Sequence, residues 1–97
     1  MTPEAKVKKK VKQILDKHGA YYFMPIGGPY AVQGVPDIIC CIKGRFVGIE
    51  CKCGMNVPTT LQQKNIDAII ANGGVAIVIN ESALETLKKI LEDLNNE

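Results

Sequence analysis

Apolar residues recur at Val7, Val11, Ile14 and Leu15, three and four positions apart, the spacing of one face of a helix. The predicted helix covers about residues 3–18: Thr2 can cap its start, Pro3 suits its first position and Gly19 ends it. Lys6, Lys8, Lys9, Lys10, Lys12 and Lys17 mostly take the other faces, and His18 at the C-terminal end reads as a cap rather than a ligand. Ala20 to Ile26, rich in Tyr and Phe, reads as a strand that Pro25 ends or confines to an edge. Residues 27–34 read as a flexible loop, and Val35–Ile42 and Arg45–Lys52 as two strands around a tight Lys43-Gly44 turn. After a loop at 53–58, Thr59 or Thr60 can cap a helix that runs to Asn72 and closes at Gly73-Gly74. Val75–Ile79 is apolar throughout and reads as a strand interior to the sheet. Ser82–Asn95 is an amphipathic helix with Leu84, Leu87, Ile90, Leu91 and Leu94 on one side. The order α-β-β-β-α-β-α predicts an α/β fold, a mixed sheet flanked by helices, in a single domain over residues 1–97.

Composition narrows the class. A chain of 97 residues fits one domain, and 46% hydrophobic with 23% charged residues excludes a disordered chain. No apolar run approaches the roughly 20 residues of a membrane span, and the Lys-rich start lacks the apolar stretch of a signal peptide. A soluble cytoplasmic protein is expected. The net charge of +2 hides an asymmetry: residues 1–52 carry nine basic and four acidic groups, residues 53–97 three and six. A basic half points to an anionic partner, nucleic acid being the commonest, against the plainer reading of a solvated Lys-rich face. The glycine-rich loop lacks the Lys-Ser/Thr of a phosphate-binding loop, which argues against a nucleotide cofactor. Cys40-Cys41 and Cys51-x-Cys53 do not have zinc-ribbon spacing and read as small buried thiols in a reducing compartment.

The hairpin carries the chemistry. With Lys43-Gly44 as a two-residue turn, Ile42 faces Arg45 and Asp37 faces Glu50. Lys52 lies two residues beyond Glu50, on the same face. Two carboxylates and an ammonium thus converge from otherwise apolar strands, Val-Pro-Asp-Ile-Ile and Gly-Ile-Glu-Cys-Lys. Like charges placed opposite one another destabilise a hairpin, and a divalent cation removes the conflict. Two carboxylates, a backbone carbonyl and waters suit Mg²⁺ or Mn²⁺. The competing reading is an internal Lys52 salt bridge, which leaves one acid unexplained. Glu4 lies on the inward face of the first helix, where it either serves this site or answers the helix dipole. Gln62 continues the Ile66, Ile69, Ile70 stripe and faces inward better than Gln63, as a site residue or as an ordinary helix-end amide.

Gly34-Val35-Pro36-Asp37 followed by Glu50-Cys51-Lys52 resembles the PD-(D/E)XK nuclease signature. The early helical Glu4 and the Thr60-Leu61-Gln62 helix ending in Asn72-Gly73-Gly74 make it similar to the VRR-NUC (virus-type replication-repair nuclease) branch, over about residues 4–79. The resemblance implies a restriction-endonuclease-like core and metal-assisted hydrolysis of DNA phosphodiesters. It implies Asp37, Glu50 and the Cys51 carbonyl as metal ligands, Glu4 acting through water, Lys52 as the catalytic lysine and Gln62 as a supporting residue. It further implies a homodimer resembling Holliday-junction resolvases, acting on branched DNA in repair in a bacterial or phage-infected cell. Lys8, Lys9, Lys12, Tyr30, Lys43 and Arg45 are candidates for DNA contact by charge and position alone. The rival function is a DNA-binding protein without catalysis that uses the basic N-terminal half.

Overall fold

The computed structural model describes residues 1–96. The elements run α1 (Pro3–Lys17), β1 (Tyr21–Phe23), β2 (Ile38–Ile42), β3 (Arg45–Cys51), α2 (Thr60–Ala71), β4 (Val75–Ile79) and α3 (Leu84–Asn95). One four-stranded sheet has the order β1-β2-β3-β4; β1, β2 and β3 are antiparallel neighbours, and β3–β4 is parallel. The expected mixed sheet and element order are present.

Side-chain alternation divides the sheet into two unlike faces. Ile38, Cys40, Ile42, Val47, Ile49, Cys51 and Ile79 form one buried cluster with Val7, Val11, Ile14 and Leu15 of α1 and Leu87, Leu91 and Leu94 of α3. The α1 and α3 stripes read from the sequence are these helix faces, whereas of the Ile66, Ile69, Ile70 stripe on α2 only Ile66 is buried and Ile70 is exposed. The apolar side of α3 is thus used within the chain, against α1 and β2. The other face carries Ile39, Cys41, Phe46, Gly48 and Glu50, and α2 covers only part of it, with Ile66 its one buried residue. Gly48 is required here: a Cβ would lie 2.9 Å from Pro36 Cγ and 3.0 Å from Ile69 Cδ1. Its absence lets α2 and the Pro36 segment settle on β3, beside the site.

Local chemistry sets the ends of the helices. Thr2 accepts from the Ala5 N–H at 3.1 Å, and the His18 ring pairs with the Ile14 carbonyl at 2.8 Å, as a cap does. Thr59, not Thr60, caps α2 through a reciprocal box with Gln62. Lys43 (φ 49°) and Gly44 (φ +78°) make the two-residue turn in the left-handed geometry that suits hairpin twist.

Four expectations need correction. The first strand is Tyr21–Phe23, shorter than Ala20–Ile26, because Pro25 cannot donate to a ladder. The second strand begins at Ile38, not Val35, so Asp37 stands just before it. Strand β4 is a sheet edge rather than interior, half-buried along most of its length. Its continuous apolar run reflects cover from helices on both faces, not strands on both sides. Of the cysteines, Cys40 and Cys51 are buried, but Cys41 is exposed and Cys53 half-buried. Adjacent strand residues point to opposite faces, so burial of Cys40 places Cys41 on the open face.

Candidate active site

The β2–β3 ladder pairs Ile42 with Arg45 and ends at Ile38 opposite Ile49. The next step in that register sets Asp37 against Glu50. The ladder stops there because the Cys51 N–H donates to the Asp37 side chain, at 2.9 Å from Oδ2. Asp37 thus replaces a backbone acceptor and is pinned over the end of β3. Its other oxygen lies 3.5 Å from Lys8 Nζ on α1.

Glu50 is 2% exposed and is the one buried charged residue among those described. Its Oε1 accepts from Gln62 Nε2 at 3.3 Å and lies 4.0 Å from Lys52 Nζ. Its Oε2 is buried with no hydrogen-bond partner. An orphaned carboxylate oxygen at this depth is costly, and native proteins rarely leave one without cause. Burial pushes the Glu50 carboxyl up to about 8; Asp37 adds to the rise, Lys52 opposes it and Glu4 contributes. Near neutral pH the Glu50 carboxyl therefore stays protonated unless a further cation offsets its burial and the nearby Asp37 and Glu4 carboxylates.

Gln62 has two tasks. Its Oε1 accepts from the Thr59 N–H at 2.9 Å, closing the α2 cap, while its amide nitrogen reaches Glu50. The helix start thereby orients the buried acid. Gln63 turns away to Asp67, as its position further round the helix predicts. Lys52 is held from behind by its own N–H, which donates to the Ile79 carbonyl at 3.0 Å and extends the β3–β4 ladder one step. The loop after it is tied to the β4–α3 turn by Asn80 Nδ2 donating to the Gly54 carbonyl at 3.2 Å.

The donor set fits a hard divalent cation. Among the described residues no three or more His, Cys, Asp or Glu side chains form a metal cage. Two carboxylates, a carbonyl and waters match the incomplete protein coordination that Mg²⁺ accepts. Burial, with the Asp37 carboxylate second, pushes the Cys51 thiol up to about 12, so it stays protonated and only its carbonyl is a sensible donor.

The DNA-contact candidates disperse. Lys8 faces Asp37 within the site rather than outward. Lys8 lies four residues after Glu4, on the same side of α1, and that spacing is the signal in the sequence for its inward position. Lys9 is exposed and Lys12 half-buried. Lys43 and Arg45 sit at the turn, six residues along β2 from Asp37, or roughly 20 Å away at the usual strand rise. They can meet only DNA distant from the two acids. Tyr30 is 99% exposed in the loop that precedes Asp37.

A solved structure titled "VRR_NUC domain" superposes on this fold with a TM-score of 0.75, over 95% of this chain and 97% of that chain, at 18% identity. The chain has the VRR_NUC fold. No family model matches the sequence, and no curated protein matches it. The likeness is thus one of VRR_NUC architecture. Asp37, Glu50, Lys52 and Gln62 gather on that architecture through the hairpin and the start of α2.

Proposed function

We propose that this chain is a metal-dependent DNA endonuclease that hydrolyses phosphodiester bonds. The observation that carries the reading is the buried Glu50 carboxylate, half unpartnered, beside Asp37 and Lys52 at the end of one hairpin. Asp37 has a structural use at the end of the ladder, but the buried, unpartnered Glu50 oxygen only costs stability. The VRR_NUC fold supports the same reading.

Asp37, Glu50 and the Cys51 carbonyl would hold Mg²⁺ or Mn²⁺, with Glu4 reaching it through water. When bound, the cation polarises the scissile phosphate and lowers the pKa of a water. The remaining work belongs to the protein. Lys52 presents a positive charge to the phosphate oxygens as charge builds on them. Gln62 fixes the rotamer of Glu50, so the acid need not reorganise. Water oxygen bonds to phosphorus, the bond to one strand oxygen breaks, and the water's proton ends on that oxygen. The products are one phosphomonoester end and one hydroxyl end.

A single site cuts a single strand, so paired cuts in branched DNA call for a symmetric dimer. The open backbone edge of β1 is the surface proposed for it, since α3 spends its apolar side internally. Light scattering at micromolar concentration should then give twice the 10.6 kDa chain mass. A clean monomer removes the paired-cut scheme.

The deciding experiment incubates the protein with linear and branched DNA, with Mg²⁺ or with chelator. Nicking that needs the metal, and that Asp37→Ala and Lys52→Ala abolish in folded protein, supports the proposal. Cutting in chelator, or full activity in both variants, overturns it. Tight binding without cutting under any metal leaves the non-catalytic DNA-binding protein as the answer.

A further inference from the structure

The half-covered face of the sheet ends in a cleft of about 530 Å³ that has no role in holding the metal. Its floor is Phe23, Ile39, Phe46 and Ile69; the segment around Ile26 and Val32 forms the wall. Asp37 stands at one end, so the cleft and the proposed metal site share a residue. The wall is held open by construction. Asn65 Nδ2 donates to the Gln33 carbonyl at 3.2 Å, tying the loop to α2. Gly34 (φ +79°) lets that backbone lie where a Cβ would be 2.7 Å from Leu61 Cγ.

The chemistry of the lining is specific. Phe23 and Phe46 are about half exposed, and Ile26 is 89% exposed, all beside a catalytic acid. Apolar side chains displayed there meet no phosphate, which needs cations or N–H donors. They suit the flat face of a base, while the Gln33 side-chain amide and the Asn65 side-chain carbonyl, whose own NH2 is spent on Gln33 and Leu61, can meet a base edge. The volume exceeds what one base occupies and lies within the usual range of ligand sites.

Resting on the nuclease reading, we infer that this cleft takes an unstacked nucleobase from the strand being cut, next to the scissile phosphate. The enzyme then selects sites where a base is already unpaired, such as a branch, gap or mismatch, because extrusion from intact duplex costs stacking and pairing. This gives branched-DNA preference a local cause that needs no second subunit.

The test uses 2-aminopurine placed beside the cut site, once in a short gap and once in intact duplex, with Ca²⁺ replacing Mg²⁺ to hold the complex uncut. Fluorescence should rise severalfold for the gapped DNA, since Phe and aliphatic walls replace neighbouring bases. Ile26→Ser and Phe46→Ser should abolish the rise and cut the gap-over-duplex cleavage preference by roughly five- to hundredfold, the range of one lost stacking contact. Ile26 is so exposed that its variant is expected to fold normally; Ile70→Ser, on the outer side of α2, should leave the rise intact. Bound DNA with no fluorescence change, or a rise that persists in both cleft variants, overturns the inference. A dimer that covers the cleft gives the first of these results. Mg²⁺-dependent nicking is read separately: if it persists while the fluorescence stays flat, the cleft assignment fails alone. If nicking is absent under every metal, the nuclease reading fails, and this inference with it.

Discussion

The Asp37 carboxylate accepts the Cys51 N–H at 2.9 Å and so takes the place of a strand carbonyl at the end of the β2–β3 ladder. This contact fixes the acid without burying it fully, at 23% side-chain exposure. Asp37→Asn should therefore keep the fold and its Tm within a few degrees while reducing nicking by about 10²-fold or more. Circular dichroism and a plasmid-nicking assay check the two halves; retained activity counts against metal binding by Asp37.

Glu50 makes stability fall with rising pH. Its carboxyl is raised from 4.5 to about 8 in the folded chain, so the native state binds more protons than the unfolded state between those values. The contribution is complete below 4.5 and is lost as pH rises through about 8. Thermal melts in chelator should show a declining Tm across that window, and Glu50→Gln should flatten it. Excess Mg²⁺ should restore the wild-type Tm most at the alkaline end and leave Glu50→Gln unmoved. Parallel pH profiles for the two proteins would disprove the assignment.

Gln62 couples a helix cap to the buried acid. Gln62→Ala loses both contacts, at about 1 kcal/mol from the cap, and should weaken Mg²⁺ affinity about 10- to 100-fold. Gln62→Glu keeps the acceptor for Thr59 but has no amide to donate to Glu50. It should recover helix stability and not Mg²⁺ affinity. Calorimetric titration beside a thermal melt separates the two effects.

Lys52→Met should lower kcat by about 10²–10³-fold with little change in KM, as expected for charge stabilisation confined to the transition state. Equal losses in Tm and activity would instead mean that Lys52 is a structural partner of Glu50.

Gly34→Ala should be more damaging than its size suggests. It places a side chain at φ +79°, 2.7 Å from Leu61 Cγ and 2.9 Å from the Leu61 carbonyl. A cost of about 1–3 kcal/mol is expected from the strain, with activity lost because the same loop leads directly to Asp37. A wild-type Tm in that variant would show that the loop is not clamped to α2.

Much of the candidate site is legible in the amino-acid sequence. Helix faces follow from apolar spacing, because Val7, Val11, Ile14 and Leu15 can be buried together only on a helix. The Asp37–Glu50 register follows from turn length, because side-chain period in a strand is two and a two-residue turn leaves no freedom to slip. Gln62 over Gln63 follows from helical geometry alone. Other features depend on contacts between segments distant in sequence. That Lys8 meets Asp37, that β4 is an edge, and that Cys41 is exposed while Cys40 is buried depend on which face each helix covers. Local pattern states that a strand is apolar; only packing states what covers it. The cleft is the extreme case, since Phe23, Val32 and Phe46 have no periodic relation and meet only because Gly34 and Gly48 let two backbones close on the same sheet.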